Sequence, residues 1–198
     1  MAPALSHVQP ELVVAPDAAA VACERILRLR PRTLALAGGR TPRALYERLA
    51  DADLPWSEME VGFGDERCVP PSDERSNYRM AREALLSRVP ARVHRMGTTP
   101  CDGAPYEAIL RRLLGDSASF DLVLLGLGAD GHTASLFPGD PALDERERWV
   151  VAVQRPDGRR LTLTLPVLSA ARTVLFLVEG SDFITGAVIA VDGGRLIA

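Results

Sequence analysis

An apolar run from Leu122 to Leu125 stops at a glycine turn, and this feature restricts the chain to few folds. Gly126 and Gly128 follow the run at once, and Asp130 and His132 come directly after them. A short apolar run that ends in glycine is typical of a buried strand, and α/β proteins build their sites at the carboxyl ends of such strands. The segment therefore predicts a strand that delivers ionisable side chains to the edge of a sheet.

Strands and helices alternate along the rest of the chain. Apolar runs predict strands over residues 12–14, 33–37, 59–63, 93–96, 122–125, 149–153, 161–165 and 173–178. Helical periodicity predicts helices over residues 18–29, 41–50, 78–88 and 106–114, with a helical turn at 167–171. This alternation over 198 residues predicts one α/β domain, with a mostly parallel sheet and helices on both faces.

The charge and the cysteines indicate a small-molecule protein of the cytoplasm. A net charge of −3 gives no electrostatic footprint for nucleic acid or an anionic membrane. No apolar run is long enough to span a bilayer, and the first ten residues lack the pattern of a secretory signal. Cys23, Cys68 and Cys101 are scattered without CxxC spacing, which argues against a disulfide framework or a thiolate zinc site and favours a reducing compartment.

The chain contains no lysine, and all 23 of its basic residues are arginine. Arginine cannot form a Schiff base and does not lose its proton near neutral pH. Mechanisms that need a lysine nucleophile or a lysine acid are therefore excluded.

The first motif follows the strand predicted at 33–37. Gly38, Gly39 and Arg40 lead into Thr41 and Pro42, where a hydroxyl cap followed by proline predicts a helix start. Glycines let a ligand approach the backbone, and a helix N-terminus attracts anions. The motif fits an anion site and an ordinary capped turn equally well.

The second motif follows the strand predicted at 59–63. Asp65 and Arg67 lie two residues apart, so they face the same side if the chain stays extended, and Asn77 follows in a Ser-Asn-Tyr element. Arg67 could hold a phosphate or carboxylate with two hydrogen bonds. By itself, the pattern favours a surface ion pair.

The third motif is the opening segment, which contains the spacing G-x-G-x-x-G. A dinucleotide fingerprint would need a full helix after it, but Pro138 and Gly139 leave room for about two turns, so we reject that interpretation. His132 in this turn is a candidate general base near neutral pH, and Asp130 could orient it. His7 and His94 have no such setting, and three scattered histidines do not suggest a metal site.

All three motifs fall at the carboxyl ends of predicted strands and should converge on one edge of a parallel sheet. The residues by themselves therefore predict a small site for an anionic ligand such as a sugar phosphate, with a base for proton transfer or hydrolysis and without a metal.

Taken together, the motifs resemble the 6-phosphogluconolactonase family. The matching stretches are LAGGRTPRALYERLA, VGFGDERCVPPSDERSNYRMAREALL, FDLVLLGLGADGHTASLFPG and RRLTLTLPVLSAARTVLFLVEG, which cover roughly residues 10 to 180. The glucosamine-6-phosphate deaminase and isomerase group is similar but more distant.

The resemblance implies a modified Rossmann-like fold and hydrolysis of 6-phospho-D-glucono-1,5-lactone in the pentose phosphate pathway, without cofactor or metal. The substrate would be a phosphosugar lactone. The protein would have no nucleic acid or membrane partner and would be a monomer or a weak homo-oligomer. His132 would activate the attacking water, and Asp130 would help set the orientation or charge of His132. Residues implied in substrate binding are Gly38, Gly39, Arg40, Thr41, Asp65, Arg67, Asn77, Gly128 and Arg172.

The resemblance ends near Gly180, so we predict a lactonase-like domain over residues 1–180 and an atypical tail over 181–198. Where the family has a phosphate-binding lysine, this chain has Phe183, and the tail resembles that of short-chain dehydrogenases without their catalytic residues. Two interpretations of the tail are open. It is either a recombined end that replaced the native one, which we favour, or a lineage-specific tail in which residues 186–191 form a closing strand. The alternative function is a sugar-phosphate-binding protein with weakened catalytic activity.

Overall fold

The structure is a computed structural model that describes residues 10–178 and the backbone of residues 187–192. Its main elements are β1 (Glu11–Val14), α1 (Ala18–Leu29), β2 (Thr33–Leu36), α2 (Arg40–Leu49), β3 (Glu60–Phe63), β4 (Asp65–Arg67), α3 (Asn77–Ala81), β5 (Arg92–Val93), α4 (Ala104–Leu114), β6 (Leu122–Gly126), β7 (Val150–Arg155), β8 (Gly158–Leu163), α5 (Leu165–Ala170), β9 (Thr173–Val178) and β10 (Ala187–Asp192). A π-helical turn, Arg82–Leu86, extends α3.

The larger sheet has seven strands in the order β1-β10-β9-β6-β2-β3-β5. The pairs from β9 through β6 and β2 to β3 and β5 are all parallel, and β10 is antiparallel to both of its neighbours. The predicted α/β class with a mostly parallel sheet is therefore confirmed. None of the helices in the described residues has the length and apolar character needed to cross a bilayer.

A second sheet of three antiparallel strands, in the order β4-β8-β7, was not expected from the sequence. Arg155 pairs with Gly158, so only Pro156 and Asp157 connect β7 to β8. A two-residue connection cannot cross over a sheet, so the two strands must pair antiparallel. The Pro-Asp-Gly turn signal was present in the sequence and could have revealed this hairpin.

The order of strands creates a crevice between β2 and β6. These strands are neighbours, but the chain leaves β2 toward β3 on one side and reaches β9 from β6 on the other. Loops that depart in opposite directions from adjacent parallel strands leave a gap at the carboxyl edge, where α/β proteins bind ligands.

Two buried tyrosines fix the carboxyl ends of β2 and β3. The Tyr46 hydroxyl accepts from the Ala37 N–H at 2.9 Å and donates to the Ala37 carbonyl at 2.8 Å. The Tyr106 hydroxyl makes the same pair of bonds with Phe63, at 2.8 and 3.2 Å. Burial raises the pKa of both hydroxyls, so they stay protonated and can donate. The loops that follow both strands therefore start from fixed points.

A disulfide joins Cys68 to Cys101, with the two Cα atoms 5.6 Å apart, and Cys23 is free. The sequence argument against disulfides is therefore wrong for this pair. Cys68 directly follows β4 and Cys101 precedes α4, so only the folded chain brings them together.

The tail enters the main sheet through β10, which lies between β1 and β9. The closing strand expected in one of the two alternatives is thus present over residues 187–192. Phe183 lies outside the described residues, and the origin of the tail and the boundary at residue 180 stay predictions.

Candidate active site

A cavity of about 420 Å³ opens at the carboxyl ends of β2 and β6. Nine of the residues predicted for the site line it: Gly38, Gly39, Arg40, Thr41, Asp65, Arg67, Asn77, Gly128 and His132. Three separate stretches of sequence therefore meet in one cavity, as the placement of the motifs after strands predicted.

His132 and Asp130 form a hydrogen-bonded pair. The His132 Nδ1 lies 2.5 Å from the Asp130 Oδ1. This hydrogen bond lowers the pKa of Asp130, which favours the carboxylate as the acceptor. With Nδ1–H donating to a carboxylate, Nε2 of a neutral imidazole carries the lone pair. His132 is part of the cavity lining, so this pair can present a base there.

The turn between β6 and His132 depends on Gly128. A Cβ at this position would lie 2.2 Å from the His132 Nδ1, which is closer than such atoms approach. The Gly128 N–H donates to the His132 carbonyl at 2.8 Å, and Thr133 and Leu136 form an isolated antiparallel bridge. The next helical element after this turn is a short 3₁₀ helix at Pro141–Asp144 rather than an α-helix, which agrees with our rejection of the dinucleotide interpretation.

Phe137 supports the imidazole and was missed by the sequence reasoning. Its ring stacks on His132, with centroids 4.4 Å apart and planes inclined by 26°. The Arg155 guanidinium carbon lies 3.7 Å from the centre of the same ring. Nothing in the local pattern marks Phe137 as different from an ordinary core aromatic, although it lies in the same motif as His132.

Asp65 connects three parts of the site. Its Oδ1 accepts from Asn77 Nδ2 at 3.0 Å, and its Oδ2 accepts from the buried Ser135 hydroxyl at 2.7 Å. A Cβ at Gly38 would lie 2.0 Å from the Asn77 Oδ1, so the glycine loop packs directly on this network. The carboxylate therefore holds the loop after β6 and the start of α3 beside β4, rather than forming a surface ion pair.

Glu66 is buried and explains the spacing between the Asp-Glu-Arg and Ser-Asn-Tyr elements. Its carboxylate accepts from the Ser76 hydroxyl and from the N–H groups of Asn77, Tyr78 and Arg67, at 2.8 to 3.0 Å. Burial raises the pKa of Glu66, while these bonds oppose that change. The carboxylate thus attaches the N-terminus of α3 to β4.

The cap of helix α2 lies two residues earlier than predicted. Its cap is Gly39, with φ of 112°, and Arg40 is the first helical residue. The prediction that Thr41 caps this helix is therefore wrong, because the positive φ of Gly39 turns the chain into the helix before Thr41. Gly39 has no side chain to occupy the N-terminus, and the first turn of α2 lines the cavity. This is a favourable environment for an anion.

Arg160 lines the cavity beside Arg67 and was not predicted. The two residues are direct partners across β4 and β8. Apart from His132, the ionisable side chains in the described lining are three arginines, at positions 40, 67 and 160, and one carboxylate, Asp65. The cavity therefore has an excess of positive charge.

Arg172 does not belong to the site. It precedes β9, at the amino edge of the sheet, and its guanidinium lies 3.5 Å from Asp121. Both residues line a different pocket, with Pro31 and Arg32. The prediction for Arg172 is corrected because the residue stands at the beginning of a parallel strand, whereas the cavity is at the carboxyl ends.

Among the described residues, no group of three or more His, Cys, Asp or Glu side chains gathers where it could hold a metal ion. The expectation that the site works without a metal stays a prediction.

Residues 12–183 match the family model described as glucosamine-6-phosphate isomerases/6-phosphogluconolactonase. The chain is 47% identical over 161 residues to a 6-phosphogluconolactonase of Synechocystis, which covers 76% of this chain and 67% of that protein. It is 40% identical over 195 residues to the human GDH/6PGL endoplasmic bifunctional protein, covering 90% of this chain and 25% of that one. The solved 6-phosphogluconolactonase of Trypanosoma brucei is similar with a TM-score of 0.77 and 32% identity, covering 87% of this chain and 83% of that one.

Proposed function

Because the chain belongs to the family of glucosamine-6-phosphate isomerases and 6-phosphogluconolactonases, we propose that it hydrolyses 6-phospho-D-glucono-1,5-lactone to 6-phospho-D-gluconate. The chain is a hydrolase, as are the relatives that carry the 6-phosphogluconolactonase name. The observation that carries the proposal is the His132–Asp130 pair at a cavity with excess positive charge.

His132 acts as the general base in the proposed mechanism. With Nδ1–H engaged by Asp130, Nε2 takes a proton from a water molecule as that water attacks the lactone carbonyl carbon. The tetrahedral intermediate collapses when the bond between this carbon and the ring oxygen breaks. The imidazolium returns its proton to the ring oxygen, which leaves as a hydroxyl of the open-chain acid. The carboxylic acid then releases its proton to solvent, which gives 6-phospho-D-gluconate.

The anionic substrate is held by fixed positive groups. The first turn of α2 offers backbone N–H groups and the positive end of the helix dipole, and Arg67 offers a guanidinium. A lactone is already a reactive ester, so holding it beside an oriented base is sufficient chemistry for this reaction.

The test is a lactone-hydrolysis assay in which the spontaneous rate is subtracted. We expect His132→Asn to lower kcat by about 10²- to 10⁴-fold, the usual contribution of a general base. His94→Asn is the matched control, because His94 contacts Glu60 and is not among the residues that line the cavity. A wild-type chain with no excess rate, or one whose rate survives loss of His132, would contradict the proposal.

The weakened sugar-phosphate binder remains the alternative function. It rests on Phe183, which lies outside the described residues, and it predicts ligand binding with little turnover. Phe183→Lys should then improve apparent substrate affinity, and an unchanged KM would argue against a lost contact at that position.

The cytoplasmic location and the monomer or weak homo-oligomer also stay predictions. The disulfide removes the cysteine argument for a reducing compartment.

A further inference from the structure

Arg67 and Arg160 form a pair of guanidinium groups on one face of the small sheet. They are directly opposite each other in the antiparallel pairing of β4 with β8. Directly opposed residues project to the same side of a sheet, and both arginines line the cavity. Two fixed positive charges therefore stand side by side at the proposed active site.

Each guanidinium is held in place at its outer end. The Arg67 Nη1 donates to the Arg75 carbonyl at 2.6 Å, and the Arg160 Nη2 lies 2.6 Å from the Asp157 Oδ2. The Arg160 side chain is only 13% exposed. These contacts fix the orientation of both side chains before any ligand binds.

The inner nitrogens have no such partners. The Nε atoms of both arginines are buried and lack a hydrogen-bond partner within the described part of the chain. Buried polar groups in native proteins are nearly always paired, so the two orphaned donors leave the hydrogen bonding of this arginine pair incomplete within the protein. Asp157 is the one carboxylate in these contacts, so the pair also carries unbalanced positive charge.

We propose that Arg160 is a second substrate-binding cation, which acts with Arg67 as a two-arginine clamp on the phosphate group of the substrate. This inference rests on the proposed function. A phosphate dianion has several oxygens that accept from two guanidinium groups at once, and guanidinium geometry matches it. Since the chain contains no lysine, every permanently charged side-chain cation at this site is an arginine.

The test compares Arg160→Gln with Arg159→Gln. Arg159 is the neighbour on β8, it is exposed, and it is not among the residues that line the cavity. Loss of a charge-assisted contact should raise KM for the phosphorylated lactone by about 10- to 100-fold in Arg160→Gln, with kcat nearly unchanged. Arg159→Gln should behave as wild type. Arg160→Lys should restore part of the affinity, because it keeps the charge without the fork.

Two further measurements separate the possible failures. Turnover of unphosphorylated glucono-1,5-lactone should be the same in wild type and Arg160→Gln; an equal loss of kcat on both lactones would place Arg160 at the carbonyl and overturn the proposal. Inorganic phosphate binding, measured by calorimetry, should weaken about tenfold or more in Arg160→Gln. If the wild-type protein has no lactonase activity but binds phosphate, and Arg160→Gln loses this binding, only the proposed function fails. If Arg160→Gln binds phosphate as wild type does, the clamp is wrong.

Thermal unfolding of each variant tests whether Arg160 has a purely structural role. If Arg160→Gln does not fold, Arg160→Lys and Asp157→Asn take its place, because Asp157→Asn leaves the cation present and releases its outer contact. Arg160→Lys should then fold and bind phosphate less tightly than wild type. A folded Arg160→Lys variant with wild-type phosphate affinity and wild-type KM would contradict a forked contact.

Discussion

At position 128, any side chain would meet the imidazole of His132. A Cβ there would lie 2.2 Å from Nδ1 and 2.8 Å from the Asp130 Oδ1. Because the ring and the carboxylate together form the proposed base, the glycine is required by the chemistry rather than by backbone strain. Gly131, with φ of 85°, is the residue of this turn that needs glycine for its conformation.

We predict that Gly128→Ala lowers kcat by about 10²-fold or more, since it displaces the general base. The imidazole can rotate away, so the free energy of unfolding should change by less than about 1 kcal/mol. Gly97→Ala is the control, because a Cβ there would meet nothing within 4 Å and Gly97 is not among the residues that line the cavity. Steady-state kinetics and urea unfolding check both variants. Equal kcat in the two would show that Gly128 does not position His132.

At the residue scale, the sequence identifies candidates where a local pattern surrounds them. His132 stands out because a glycine turn follows a buried strand, and Gly38 stands out for the same reason. Arg172 was misplaced because it was carried over from a matching segment, without regard to which end of its strand it occupies.

At the scale of elements, Glu107 connects α4 to the small sheet. Its carboxylate accepts from the backbone N–H groups of Trp149 and Val150, at 2.9 and 3.3 Å, and from Arg111 at 2.7 Å. Burial acts to raise the pKa of Glu107, but these hydrogen bonds outweigh it and lower the pKa. A carboxylate with a lowered pKa in the folded state stabilises the fold above its unfolded pKa, near 4.5, and this stabilisation is lost as the pH falls through the folded value.

We predict that Glu107→Gln costs about 1–3 kcal/mol of unfolding free energy at pH 7, because one backbone donor or the Arg111 contact loses its acceptor. The difference from wild type should shrink as the pH falls below 4.5. Glu147→Gln, an exposed neighbour, should have little effect. Urea unfolding between pH 3 and pH 7 measures this, and a difference that stays constant with pH would refute the role assigned to the charge.

Most helices and strands were predicted from periodicity, but their pairing was not. The runs at 149–153 and 161–165 were identified as strands, yet they form a hairpin outside the main sheet. Periodicity describes which face of a strand is apolar, and it contains no information about the strand's neighbours. The start of α2 was shifted because a left-handed glycine competes with a hydroxyl cap for the first turn.

For the molecule as a whole, the Cys68–Cys101 disulfide closes a loop between residues 33 positions apart. Cys68 directly follows Arg67, so the crosslink connects the border of the candidate site to the segment before α4. Crosslinks of this kind stabilise folded proteins by restricting the unfolded chain.

We predict that reduction lowers the unfolding free energy by about 2–4 kcal/mol. The Cys68→Ser/Cys101→Ser double variant should have this lower stability and should not respond to reductant. Cys23→Ser should respond as wild type does, since Cys23 is free. Urea unfolding with and without reductant checks the effect. Titration of three free thiols in the native protein would contradict it.

The sequence by itself determined the class of fold and the core of the candidate site. Apolar runs that alternate with amphipathic segments produce a mostly parallel sheet, and glycine turns after the strands predict where the site lies, because both signals come from neighbouring residues. Only the tertiary structure decided the pairing of β4 with β8, the disulfide, the Asp65–Ser135 bond across 70 residues and the approach of Arg160 to Arg67. These contacts join segments that are far apart in the chain, and no local periodicity or spacing encodes them.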